Sequence, residues 1–165
     1  MPKYIRLLRQ SRRASVGAMT TNWRDDASEE VQDDFDRLAE VTIAAARNFL
    51  DETGDFVPFP MVVKADGELS LIGREQPVTP TAPNPADVVN GIVTLFRERR
   101  NSIRALAIGA NVQVPAEATD AIEVRLEHRD GTVITLLVPY QVDSLDDSYL
   151  YDEPRIHAGN RVIWL

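Results

Sequence analysis

The chain has 165 residues, 44% of them apolar and 27% charged, with no cysteine and a net charge of −8. That is one domain's worth of chain with enough apolar material for a core. Disulfides, thiolate metal sites and cysteine nucleophiles are excluded, and no apolar run approaches the roughly 18–20 residues of a membrane-spanning helix. Residues 1–18 carry five basic side chains (Lys3, Arg6, Arg9, Arg12, Arg13) and no acid, whereas the remainder carries 13 basic and 26 acidic ones. Such an acidic body repels phosphate backbones and argues against nucleic-acid binding.

Residues 1–24 read as a loose basic extension and 25–165 as a single domain. Tyr4, Ile5, Leu7 and Leu8 interleave with the basic residues, as in arms that touch membrane surfaces. The stretch after Arg13 is too polar for a secretory signal, and Met19 offers an alternative start of translation. The first firm element is a helix over about 28–52, capped by Asp26 or Ser28. Val31, Phe35, Leu38, Thr42, Ala45, Ala46 and Phe49 form its apolar stripe, Asp33, Asp34, Asp36 and Glu40 lie off it, and Gly54 closes it.

A hairpin follows. A three-residue loop ending in Gly67 pairs Val63 with Leu69 and Met61 with Leu71, which keeps apolar side chains on one face. The dense prolines of 74–84 predict a loop. Asn84 then caps a second helix with Pro85 at its first position, ending near Arg100. Gly91 on its apolar face points to close packing.

The rest predicts a meander. Leu106, Ile108, Ala110, Val112 and Val114 alternate in one strand, and Ile122, Val124 and Leu126 in the next. A loop closed by Gly131 pairs Leu126 with Ile134, Val124 with Leu136 and Ile122 with Val138. Residues 141–155 are acidic and irregular, and 161–165 predict a last short strand. The fold class is α+β, a mostly antiparallel sheet of five to six strands with two main helices, in the order α-β-β-α-β-β-β-β.

Chemistry is sparse. No phosphate-binding glycine loop and no nucleophile elbow are present. His128 predicts a half-buried, hydrogen-bonded residue at a sheet end, and His157 a surface contact. Asp146 and Asp147, with Asp143, Asp152 and Glu153, predict a solvated acidic loop rather than a Ca²⁺ site. The alternative gives a hydrolytic or metal-dependent role to the acidic segment with His157. Opposite the expected core, Ala105 and Ala107 together with Val133, Thr135 and Leu137 offer a mixed apolar surface for a partner.

The segments 120–131 and 56–67, Asp-Ala-Ile-Glu-Val-Arg-Leu-Glu-His-Arg-Asp-Gly and Phe-Val-Pro-Phe-Pro-Met-Val-Val-Lys-Ala-Asp-Gly, resemble small bacterial α+β proteins of unknown function. The resemblance spans most of 28–140 and implies no activity. The element order is loosely similar to roadblock and longin-type modules, which implies a binding or dimerisation scaffold. The expected function is therefore a non-enzymatic, cytoplasmic interaction or regulatory module. It takes no cofactor and contacts another protein or itself. A variant of this reading is an immunity or antitoxin-like inhibitor of a basic partner.

Overall fold

Trp23 is packed into the core, two positions ahead of the domain boundary expected from the sequence, and is the first such residue among those described. A computed structural model describes residues 22–70 and 84–165. The basic extension up to residue 21, most of the proline-rich loop and the expected Met61–Leu71 pair lie outside the described residues. The short helix α1 (Trp23–Asp26) lays its indole on Phe35, with ring centroids 5.4 Å apart. The Arg24 guanidinium lies over that indole and makes a buried 2.5 Å ion pair with Asp36.

Helix α2 (Glu29–Thr53) starts at Ser28, whose hydroxyl accepts the Val31 N–H, and ends at Gly54 in the left-handed region (φ 79°). Its apolar stripe covers one face of the sheet. A second helix, α3 (Pro85–Glu98), is capped by the Asn84 side chain and packs on the other face. The sheet comprises β1 (Phe59–Lys64), β2 (Leu69–Ser70), β3 (Ile103–Val114), β4 (Thr119–His128), β5 (Val133–Val142), β6 (Tyr149–Tyr151) and β7 (Arg155–Ala158). Its order is β2-β1-β3-β4-β5-β6, wholly antiparallel, with β7 paired to the other half of the β5 edge that carries β6. The fold is α+β; among the described residues it has seven strands where the expected order has six, and one short α-helix, α1, beyond the two expected.

Both glycine-closed hairpins have the expected register: Val63 pairs with Leu69, and Leu126, Val124 and Ile122 pair with Ile134, Leu136 and Val138. Gly67 (φ 92°) and Gly131 (φ 107°) adopt the conformation these loops need. Four expectations are corrected, three of them local. Residues 161–165 form no strand; the last strand is β7, and the tail after it crosses the sheet. The acidic stretch 141–155 is not wholly irregular, because β5 runs to Val142 and β6 lies inside it. Gly91 does not mediate close packing, since a Cβ added there meets nothing within 4 Å among the described residues.

The largest correction concerns β3. Its register sets Ala107 opposite Leu126, Gly109 opposite Val124 and Asn111 opposite Ile122, so from Ala105 to Asn111 its odd residues lie on the α2 side of the sheet. Leu106 and Ile108 face α3 with Val62. The small side chains let α2 lie close: a Cβ on Gly109 would fall 2.8 Å from Phe59 and 2.9 Å from Thr42. A bulge near Val63/Lys64 leaves Arg104 without a partner on β1, and its side chain reaches α2.

Candidate functional site

Asp34 is an acid on the buried side of α2, 1% exposed, and the sequence reading left it off the apolar stripe. Its position was legible, because it follows Val31 by three residues and precedes Leu38 by four. Arg104 meets it through two parallel bonds, Nε to Oδ2 at 2.8 Å and Nη2 to Oδ1 at 2.9 Å. Arg37 donates to Oδ1 at 2.8 Å, and His128 Nε2 lies 3.1 Å from Oδ2. The Asp130 N–H donates to His128 Nδ1, so Nε2 is the ring nitrogen that donates to Asp34. Burial raises the Asp34 pKa. The bonds from His128, Arg104 and Arg37 outweigh that and hold the carboxyl far below the usual carboxylate range.

Glu30, Asp34 and His128 bring ligand-type atoms within 4.8 Å of one another. They do not fit a metal ion. Each Asp34 oxygen already accepts two hydrogen bonds, and Arg104 bridges Asp34 to Glu30 with Nη1 3.1 Å from the Glu30 carboxylate. The cation of this cluster is a guanidinium. His128 is hydrogen-bonded at the sheet end as expected, but it is fully buried rather than half-buried, because α2 covers the α2-side face of β4.

The other sequence candidates do not converge. His157 is exposed on β7 opposite Thr135, while Asp146 and Asp147 are exposed in the β5–β6 turn. Thr135 and Val142 are separated by about 23 Å of strand at 3.3 Å per residue. The acids of that turn hold their own backbone: Asp143 accepts the Leu145 N–H and Asp146 the Ser148 N–H. The expected apolar sheet face is split. Ala105 and Ala107 are fully buried under α2, whereas Val133, Thr135 and Leu137 are half-buried on the opposite face. The five residues form no common surface, because the β3 register inverts the faces assumed from the sequence.

A different site emerges at the far end of the sheet, where α2 ends, α3 begins and β3, β4 and β5 meet. Two adjoining clefts of about 560 and 500 Å³ share Gln113, Asp120 and Tyr140. The first is bordered by Asp55, Asn84 and Asn111. The second has an apolar wall of Val114, Pro115, Ala118 and Val142. A polar chain runs along the floor: the Tyr140 hydroxyl donates to Asn111 Oδ1 at 2.6 Å, and Asn111 Nδ2 donates to Asp55 Oδ1 at 2.8 Å. Burial, followed by the nearby Asp120 carboxylate, pushes the Tyr140 phenol up to about 12. Among the described residues, no Lys or Arg lines either cleft, and neither Asp55 nor Asp120 forms an ion pair.

Large apolar side chains are exposed beside this site. Val142 (53% exposed), Leu145 (93%) and Leu150 (55%) belong to the β5–β6 hairpin among Asp143, Asp146 and Asp147. Sequence reasoning gave Gly54, Asn84, Pro85, Val112 and Val114 structural places and assigned a functional role to none of the cleft residues. The Asp120–Tyr140 pair was nonetheless implied by the register of the second hairpin, because it continues the Ile122–Val138 ladder. Asp55 and Asn111 carried no such signal. Among the described residues, no helix is long and apolar enough to cross a membrane. No family model, no curated protein and no solved structure matches this chain.

Proposed function

We propose that this protein is a non-enzymatic, cytoplasmic interaction module whose acidic cleft receives a basic, partly apolar segment of a partner protein. The observation that carries this reading is the pairing of Asp55 and Asp120, two exposed carboxylates without a cation among the described residues, with an apolar wall ending at the exposed Val142. A lysine or arginine of the partner lies between the carboxylates, and its apolar neighbours lie on Val114, Pro115, Ala118 and Val142. The acidic hairpin beside the cleft steers such a segment inward. The sequence-level readings of a scaffold of roadblock or longin type, and of an inhibitor of a basic partner, are both compatible with this surface.

The test is an NMR titration of the full chain with a short peptide of arginine, leucine and serine in equal parts. The expected result is shifts of the Asn111, Gln113, Asp120 and Val142 amides. These weaken in Asp55→Asn/Asp120→Asn and vanish at ~1 M salt, where the Debye length is about 3 Å. Shifts scattered over the surface, or none, overturn the proposal.

A further inference from the structure

The composition that suits the cleft occurs within the chain itself. Residues 1–18 hold five basic side chains and no acid, interleaved with Tyr4, Ile5, Leu7 and Leu8. The cleft and its hairpin present the complement, with carboxylates at Asp55, Asp120 and Asp143 and exposed apolar groups at Val142 and Leu145. We infer that residues 1–18 occupy the acidic cleft of their own chain, as an internal competitor for the partner segment. This inference rests on the reading of the cleft as a receptor for basic, apolar segments.

Reach permits it. Trp23 packs on Phe35, and the stretch of α2 from Phe35 to the cleft at Gly54 spans about 28 Å at 1.5 Å per residue. The chain from Arg9 to Asn22 extends to about 43 Å at 3.3 Å per residue, so the basic segment reaches the cleft without moving the folded body. A short tether of this kind gives an effective concentration of about a millimolar, so a weak intrinsic affinity is enough to occupy the site. The other nearby acidic surface, around Asp25, Glu29, Glu30 and Asp33, meets the same charge but, among the described residues, has no exposed large apolar side chain to receive Ile5, Leu7 and Leu8. An internal competitor lowers the apparent affinity for any outside segment by the fraction of chains in which the cleft is open.

The experiment compares two full-length chains, the natural sequence and the variant Arg6→Ser/Arg9→Ser/Arg12→Ser/Arg13→Ser, by titration with the same arginine–leucine–serine peptide. The expected result is peptide binding about tenfold tighter to the variant. Equal affinity for both chains overturns the internal competitor while leaving the cleft reading intact. Binding to neither chain overturns both.

A second measurement fixes the place. The chain has no cysteine, so Ser11→Cys accepts a single nitroxide label. Intramolecular broadening of the Gln113, Thr119 and Val142 amides at low salt, lost on adding Asp55→Asn/Asp120→Asn, is the expected outcome. Broadening confined to Asp25–Asp33, or broadening that appears only between labelled and unlabelled copies, overturns it.

Discussion

Two glycines with opposite surroundings show how one side-chain atom changes the energy. Gly91 sits exposed in the interior of α3, where glycine costs helix stability and, among the described residues, nothing crowds a Cβ. Gly91→Ala is expected to stabilise the protein by about 0.5–1 kcal/mol. Gly109 lies in β3 directly under Phe59 and Thr42. Gly109→Ala forces those side chains apart and is expected to destabilise by about 1–3 kcal/mol. Urea denaturation of the two variants checks both signs at once. A stabilising Gly109→Ala contradicts the close approach of α2 to the sheet.

At the scale of elements, the tail after β7 is held as a strap rather than as a strand. The Glu127 carboxylate, buried on the α3 side of β4, accepts the backbone N–H groups of Val162, Ile163 and Trp164 at 3.0–3.1 Å. The Arg97 Nε donates to the Val162 carbonyl, and the Trp164 indole N–H to the Arg100 carbonyl, so α3 and the strap fix each other. Ile163 of the strap is buried in the apolar cluster that α3 forms with the sheet. One carboxylate thus supplies the acceptors that a neighbouring strand normally offers. Glu127→Ala leaves three backbone donors without that acceptor and is expected to cost about 2 kcal/mol. Hydrogen exchange is the measurement. The Val162–Trp164 amides lose protection first, while those of the β4–β5 ladder stay protected. Uniform loss across the sheet would mean that the strap is not a separate unit.

For the whole molecule, the Asp34 cluster links pH to stability. The folded-state pKa of Asp34 is depressed, so its contribution is fully present above the ordinary aspartate pKa of about 3.9. It is lost as pH falls from there through the folded value. Asp34→Asn removes the anion that Arg104, Arg37 and His128 address. It is expected to cost about 3 kcal/mol at neutral pH, because Arg104 then lacks the partner for its two parallel bonds. The gap between the natural chain and the variant narrows as the pH drops below about 4. Denaturation midpoints measured at a series of pH values test this, and a gap constant with pH contradicts the assignment.

Local patterns determined much of this protein. The stripe from Val31 to Phe49, the Ser28 and Asn84 caps, and the Gly67 and Gly131 loops specify both long helices and both hairpin registers, because each depends on residues close together in sequence. The pairing of β1 with β3 and the bulge at Arg104 depend on contacts some 40 residues apart, and no local signal reports them. That pairing and the β3–β4 register decided which face Ala105 and Ala107 occupy. The same tertiary contacts gave Asp34 and Glu127 buried partners and brought Asp55 and Asn111 to Tyr140. Periodicity tells which side chains share a face. Only the packing of distant segments determines what that face meets, and the cleft exists only in that packing.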